Sequence, residues 1–302
     1  RMRTDDKPRS KVYELFMATA YASSNYRYPI IGWPDDIREL SIEDHRGWYN
    51  KWYYPNNATL VVVGDVNPDE VFKLAKKYFG TLKAKQTPTL KTSGEIEQFG
   101  TKRIQVTLPA KLPYLLMGYK VPVLNSLAED QKWEAYALEV LAGILDGGDS
   151  ARLSSRLVRG QQIVVSAGAG YNMSTRLPSL FVLDATPSVG HQLEEVETAL
   201  RKQIELLKNT TVTTKELSRV KAQVIANEVY QRDSVFYQAM QLGTLETVGL
   251  GWRVGEQYVE RIKAVTAQQI QDVAKKYLVN KTLSIAYMLL PEAESDKSQE
   301  RK

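Results

Sequence analysis

The chain has 302 residues, 43% of them hydrophobic and 25% charged, an ordinary globular composition with enough length for two cores. Lys and Arg number 40 against 35 Asp and Glu, for a net charge of +5 and a pI near 9.0. They are spread along helix faces such as KLAKKYFGTLKAK, which argues against a nucleic-acid partner. Cysteine is absent, which excludes disulfides and thiolate chemistry, and no apolar run reaches the ~20 residues a membrane-spanning helix needs.

Val12, Leu15, Phe16, Thr19 and Ala20 recur at helical spacing and predict a helix over residues 10–22 with one buried face. The loop NYRYPIIGWPDD follows, and Pro34 opens the short helix PDDIREL, whose acidic first turn suits the helix dipole. Ser41 with Asp44 three residues on resembles a capping box. It starts a helix bearing Trp48, Trp52 and Tyr53, which Pro55 stops by lacking an amide hydrogen. The helical spacing of Trp48 and Trp52 points to core packing rather than a ligand groove for these residues and Trp33. ATLVVVGDV, residues 58–66, is a continuous apolar run that predicts a strand buried on both faces. Asn67, Pro68 and Gly80 then mark the cap, first position and exit of another helix.

Residues 83–100 lose all periodicity and gather Thr, Ser, Gly, Pro and Lys, as an interdomain linker does. Two strand-like runs interrupted by Pro109 and Pro113 come next, then a helix over 127–145, the turn DGGDS and a helix over 151–158. The strands IVVSAGAGYNM and LFVLDATP, a helix over 191–208, one very long helical segment over 213–247, and a final helix, helix and strand complete the chain. The predicted fold class is α+β, with helices layered on a mostly antiparallel sheet. The predicted units are a remnant of a first domain at 1–82, the linker at 83–100 and a second domain at 101–295.

An internal repeat supports that division. At an offset of about 225 positions Ile37 falls on Ile262, Leu40 on Val265, Ser41 on Thr266, Trp52 on Tyr277 and Leu60 on Ile285. Each copy reads as a short helix, a Ser or Thr cap, a second helix, a turn with Asn and a buried strand. The second copy is preceded by roughly 130 residues that the first lacks. The chain is therefore read as two related α/β halves with the first truncated, a piece of a longer parent.

Few residues invite chemistry. His45 lies one turn into a helix and His191 at a helix start, where surface or capping roles are expected. DGGDS has the glycines of an anion cradle but neither the Lys nor the preceding strand of a phosphate loop, so it reads as a tight turn. Glu216, Glu228 and Glu246, with no clustered His, read as solvated helix residues.

Two stretches, YNKWYYPNNATLVVVGDVNPDEVFKLAKKYFGTL and ILDGGDSARLSSRLVRGQQIVVSAGAGY, resemble the pitrilysin and insulinase type of zinc metallopeptidases, which includes the mitochondrial processing peptidase and respiratory-complex core proteins. The resemblance runs over essentially the whole chain, and it is the first stretch, with P-N-N-A, V-V-G-D and Y-F-G at fixed spacing, that is most specific. It implies tandem α/β halves facing each other around a chamber that holds an extended peptide. It also implies zinc, bound in the first half by an H-x-x-E-H helix and a downstream Glu. Here the only histidines are His45 and His191, the helix around Glu139 to Gly143 has no ligand pair, and the downstream Glu would fall before Arg1. No zinc is expected in this chain, and zinc is expected in the full-length parent. The family also holds its peptide with an Arg and a Tyr seven residues apart. A gapless match puts Val158 and Val165 at those substrate-binding positions, with Arg156, Arg159 and Tyr171 nearby at the wrong spacing. The resemblance implies no catalytic residue in this chain, a peptide substrate, and a homologous peptidase-like partner subunit. The alternative is a wholly noncatalytic scaffold or assembly protein of the same fold.

Overall fold

The computed structural model describes residues 1–89 and 94–291. The middle of the expected linker, 90–93, and the last residues of the expected second domain, 292–295, lie outside them. Five helices come first: α1 (Met2–Asp5), α2 (Pro8–Ala20), α3 (Pro34–Glu39), α4 (Ile42–Trp52) and α5 (Pro68–Phe79). Then follow β1 (Lys102–Thr107), β2 (Tyr114–Val121), α6 (Trp133–Asp146), β3 (Val164–Gly170) and β4 (Ser179–Pro187). The chain continues through α7 (Leu193–Asn209), α8 (Thr214–Gln231), α9 (Val235–Val248), α10 (Arg253–Ala264), α11 (Ala267–Tyr277) and β5 (Leu283–Leu289).

The five strands form one sheet in the order β1-β5-β2-β4-β3, in which only the β1–β5 pair is parallel. The closing strand β5 is thus inserted between β1 and β2. The period-two alternation of β2 serves both faces at once. Leu115, Met117 and Tyr119 enter the main core, where α6, α7, α10 and α11 contribute Leu138, Leu141, Leu200, Ile262 and Ile270. Tyr114 and Leu116 point the other way, onto Val12, Phe16 and Ala20 of α2. The α+β architecture therefore stands, and the apolar face of α2 is buried against the sheet that follows the linker.

Local capping is as the residues dictate. The Ser41 hydroxyl accepts from Asp44 N–H at 3.1 Å while the Asp44 carboxylate accepts from Ser41 N–H at 2.9 Å. Thr266 and Gln269 form the same reciprocal pair on α11. Asn67 accepts from the backbone of Asp69 and Glu70.

Three expectations need correction. Residues 58–66 are in no strand, and Leu60, Val62 and Val66 are exposed, because no neighbouring strand is present among the described residues to take up their backbone groups. Trp48 is 59% exposed, and Tyr49 and Tyr53 stack on each other at 4.8 Å on the surface of α4 rather than in a core. The long segment 213–247 is two helices. It breaks at 232–234, where the Ser234 hydroxyl accepts from Tyr237 N–H at 3.2 Å and caps α9 anew.

Candidate functional site

Helix α6 is apolar almost all round, since it lies between the sheet and the outer helices, and Glu139 is the polar residue within its central run LEVLAGIL. Its carboxylate opens into a cavity of about 450 Å³ lined by Tyr171, Glu228, Tyr237, Gln241 and Tyr258. A smaller cavity of about 220 Å³ shares Glu139 and Tyr171 and adds Asp146, Gln223 and Asn227. The width of this cleft is set by Gly143, where an added Cβ would meet Val220 Cγ1 at 2.8 Å, so only glycine lets α8 approach α6 this closely.

The lining is held from outside. Tyr171 donates its hydroxyl to the Pro122 carbonyl at 2.7 Å, and its ring stacks on Phe181. Tyr258 leans on Tyr136 with ring centres 6.3 Å apart. Glu228, buried on α8, accepts from Gln241 Nε2 at 2.9 Å and has the Arg232 guanidinium at 3.6 Å, both on the same oxygen. Asp146 accepts from the Ala169 N–H of β3 at 3.2 Å, tying α6 to the edge strand.

Glu139 has no hydrogen-bond or ionic partner among the described residues, so burial acts unopposed and pushes its carboxyl up to about 7. Burial likewise raises the phenols of Tyr171, Tyr258 and Tyr237, with the nearby carboxylates adding to it. The site can hold or release one proton near neutral pH and can receive positive charge. It offers no nucleophile paired with a base.

The residues singled out in the sequence are scattered. His45 is exposed, with Nδ1 2.7 Å from the Ser41 carbonyl, and His191 meets Glu195 at 2.8 Å on the surface of another helix. Val158 ends a π-helical turn and packs against the core, whereas Val165 is 56% exposed at a register shift of β3. Arg156 donates to Gln203 and Arg159 to the Asp149 carbonyl. DGGDS is a tight turn in which Gly148 takes φ +96°. Glu216 is locked by two 2.8 Å bonds from Arg152, and Glu246 accepts from Trp252 N–H. The reading of Glu228 as solvated is corrected: it is buried, with Gln241 of α9 donating to its carboxylate. Glu139 is the functional candidate that helix spacing and motif leave out, and its signal in the sequence is a lone carboxylate inside an apolar helical run.

The residues present do not fit zinc. Among the described residues no group of three or more His, Cys, Asp or Glu could hold a metal ion, and both histidines stand apart with partners of their own.

Residues 39–224 match the family described as the peptidase M16 inactive domain. The chain is 33% identical over 227 residues to the zinc protease PqqE of Helicobacter pylori, which covers 73% of this chain and 49% of that protein. It therefore spans about half the length of that relative. It is 25% identical over 299 residues to a probable mitochondrial-processing peptidase subunit beta of Schizosaccharomyces pombe, covering 91% of this chain and 61% of the other. The crystal structure of a protease from Helicobacter pylori superposes with a TM-score of 0.87 at 27% identity, over 96% of this chain and 69% of that one. With that family model matching more than half of the chain, and a relative 33% identical over 73% of it, the chain belongs to the peptidase M16 inactive-domain family.

Proposed function

We propose that this chain is the noncatalytic portion of a zinc-dependent peptidase and forms half of a chamber that holds peptide, the zinc being carried elsewhere in the longer protein. The observation that carries this reading is α6. At the place where the resemblance puts the zinc helix, residues 138–142 read Leu-Glu-Val-Leu-Ala, which keeps the core apolar and offers the single carboxylate of Glu139 but no ligand pair. Residues 1–82 are assigned to the preceding half and 101–295 to the inactive domain.

Val158 and Val165 occupy the positions of the peptide-holding Arg and Tyr in this reading. Valine can neither donate to a peptide carbonyl nor stabilise charge developing on it, and loss of one such donor costs on the order of 3 kcal/mol in the transition state. The longer protein alone is therefore nearly inactive, and a partner chain of the same fold bearing the Arg and Tyr completes the site. The test is peptidase activity of the longer protein, assayed alone and then mixed with such a partner. Activity that rises at least a hundredfold on mixing supports the reading. Full activity alone refutes the division of labour, and no activity in either state refutes the peptidase assignment in favour of a scaffold.

A further inference from the structure

We propose that the cleft between α6 and α8–α10 is a receptor for an organic cation, a guanidinium or primary ammonium at the end of an unbranched stem, held between Glu139 and Glu228 and flanked by the rings of Tyr171, Tyr237 and Tyr258. The proposal deepens the peptide-holding reading, because the side chain of a basic peptide residue is one carrier of such a group; a free amine is the other.

The two carboxylates come from different helices and face one cavity, and neither is fully used. Glu139 has no partner, and both contacts of Glu228 fall on Oε1, leaving Oε2 open. Glu139 is half-buried, and a carboxylate drawn out of water without a partner disfavours its charged form, a penalty that an entering cation removes. The hydroxyls of Tyr237 and Tyr258 have no hydrogen-bond partner among the described residues either and can accept from N–H donors. Tyrosine faces add attraction for a desolvated cation. The volume of about 450 Å³ suits a side-chain-sized group, and the mouth lies at exposed Met240 and Asn172. Two facing carboxylates repel an anion. A divalent metal is poorly served, since the lining holds no third carboxylate and no imidazole. The groups facing Glu139 are Tyr171 after β3, Glu228 with Arg232 on and beyond α8, Tyr237 on α9, Tyr258 on α10 and, across the smaller cavity, Asp146 at the end of α6. Arg232 is the cation at the rim, too far from Glu228 for a hydrogen bond and half exposed, so a ligand can displace it.

Calorimetric titration of the whole chain with capped arginine (Nα-acetyl, N-methylamide), with agmatine, and with the capped citrulline counterpart tests this. Citrulline keeps the shape of arginine and lacks its charge. The expected result is saturable binding of at least one cation and at least tenfold weaker binding of citrulline. Capped arginine binding more tightly than agmatine assigns the peptide as source, and the reverse assigns a free amine. Ionisation of Glu139 near pH 7 should tighten cation binding about tenfold between pH 6 and pH 8. Glu139→Gln should weaken it at least tenfold at pH 8 and abolish the pH dependence. Equal binding of citrulline, no saturable binding in any arm, or a Glu139→Gln protein that binds as the wild type overturns the proposal. Should that variant fail to fold, a flat wild-type profile from pH 6 to pH 8 overturns it alone. These titrations read no peptidase activity, so they can fail while the assembled enzyme works, and the converse.

Discussion

Single carboxylates set the acid and base limits of this protein, and they act in opposite directions. Burial opposes the charge of Glu197, but hydrogen bonds from Arg103, Tyr287 and Arg201 outweigh it and hold the carboxyl at about 2. Glu95 follows the same pattern: burial opposes its charge, while the amides of Ala22, Ser23 and Ser24 and the Lys120 ammonium bring it to about 2. Both are depressed below their unfolded values, so their contribution is complete above about pH 4.5 and is lost as pH falls toward 2. We expect acid unfolding in that window, and Glu197→Gln should cost about 2 kcal/mol at pH 7 and little at pH 2 by denaturant titration. Glu139 is the reverse case. Its folded value near 7 lies above the unfolded one, so the native state binds more protons between pH 4.5 and 7 and loses stability as pH rises through that range. Glu139→Gln should therefore raise stability at pH 8 by on the order of 2 kcal/mol and leave it unchanged at pH 4. A melting-temperature difference independent of pH would contradict the assignment.

Among elements, the contact between α6 and α8 is the one that shapes the cleft. Gly143→Ala places a methyl group 2.8 Å from Val220 Cγ1 and is expected to destabilise by about 1–3 kcal/mol, with Val220→Ala in the same chain recovering part of it. A chemical-denaturation cycle of the four proteins decides this, and strict additivity would show that the helices do not meet there. The segment 58–66 shows how an element can be specified and still not form. Leu60 lies exposed in one groove with Trp48 and Tyr53, and Val62, Val66 and Phe72 are exposed as well, apolar surface of the kind that drives association. We expect concentration-dependent oligomers in light scattering, reduced by Leu60→Lys with Val62→Lys without a change in the far-ultraviolet spectrum. A clean monomer at high concentration would refute this.

In the molecule as a whole, order is unevenly distributed. The main core gathers on the sheet and α6, whereas α3, α4 and α5 bury no residue at all. Amide exchange should be slowest in β2 and α6 and fast across α3–α5, as expected where helices lack apolar contacts. Comparable protection in both regions would refute it. Metal analysis of the dialysed chain should find no stoichiometric zinc, since the described residues bring no ligand set together.

The amino-acid sequence alone determined what depends on near neighbours in the chain. The 225-residue repeat places the bounds of α4 onto those of α11, and the turn Pro55–Asn57 onto Asn280–Thr282, because caps, helical periodicity and proline act within a few residues. The glycine turn, the strands around Pro109 and Pro113, and the want of a histidine pair were legible for the same reason. Tertiary structure alone decided the fate of the two matching apolar runs: residues 283–289 became β5 because β1 and β2 lie on either side to take its hydrogen bonds, while 58–66, with no neighbour, stayed irregular. It also decided the cleft. Glu139 and Glu228 are far apart in sequence, and only the packing of α8 on α6, with the close approach allowed by Gly143, brings both residues to one cavity. No local pattern encodes such a meeting.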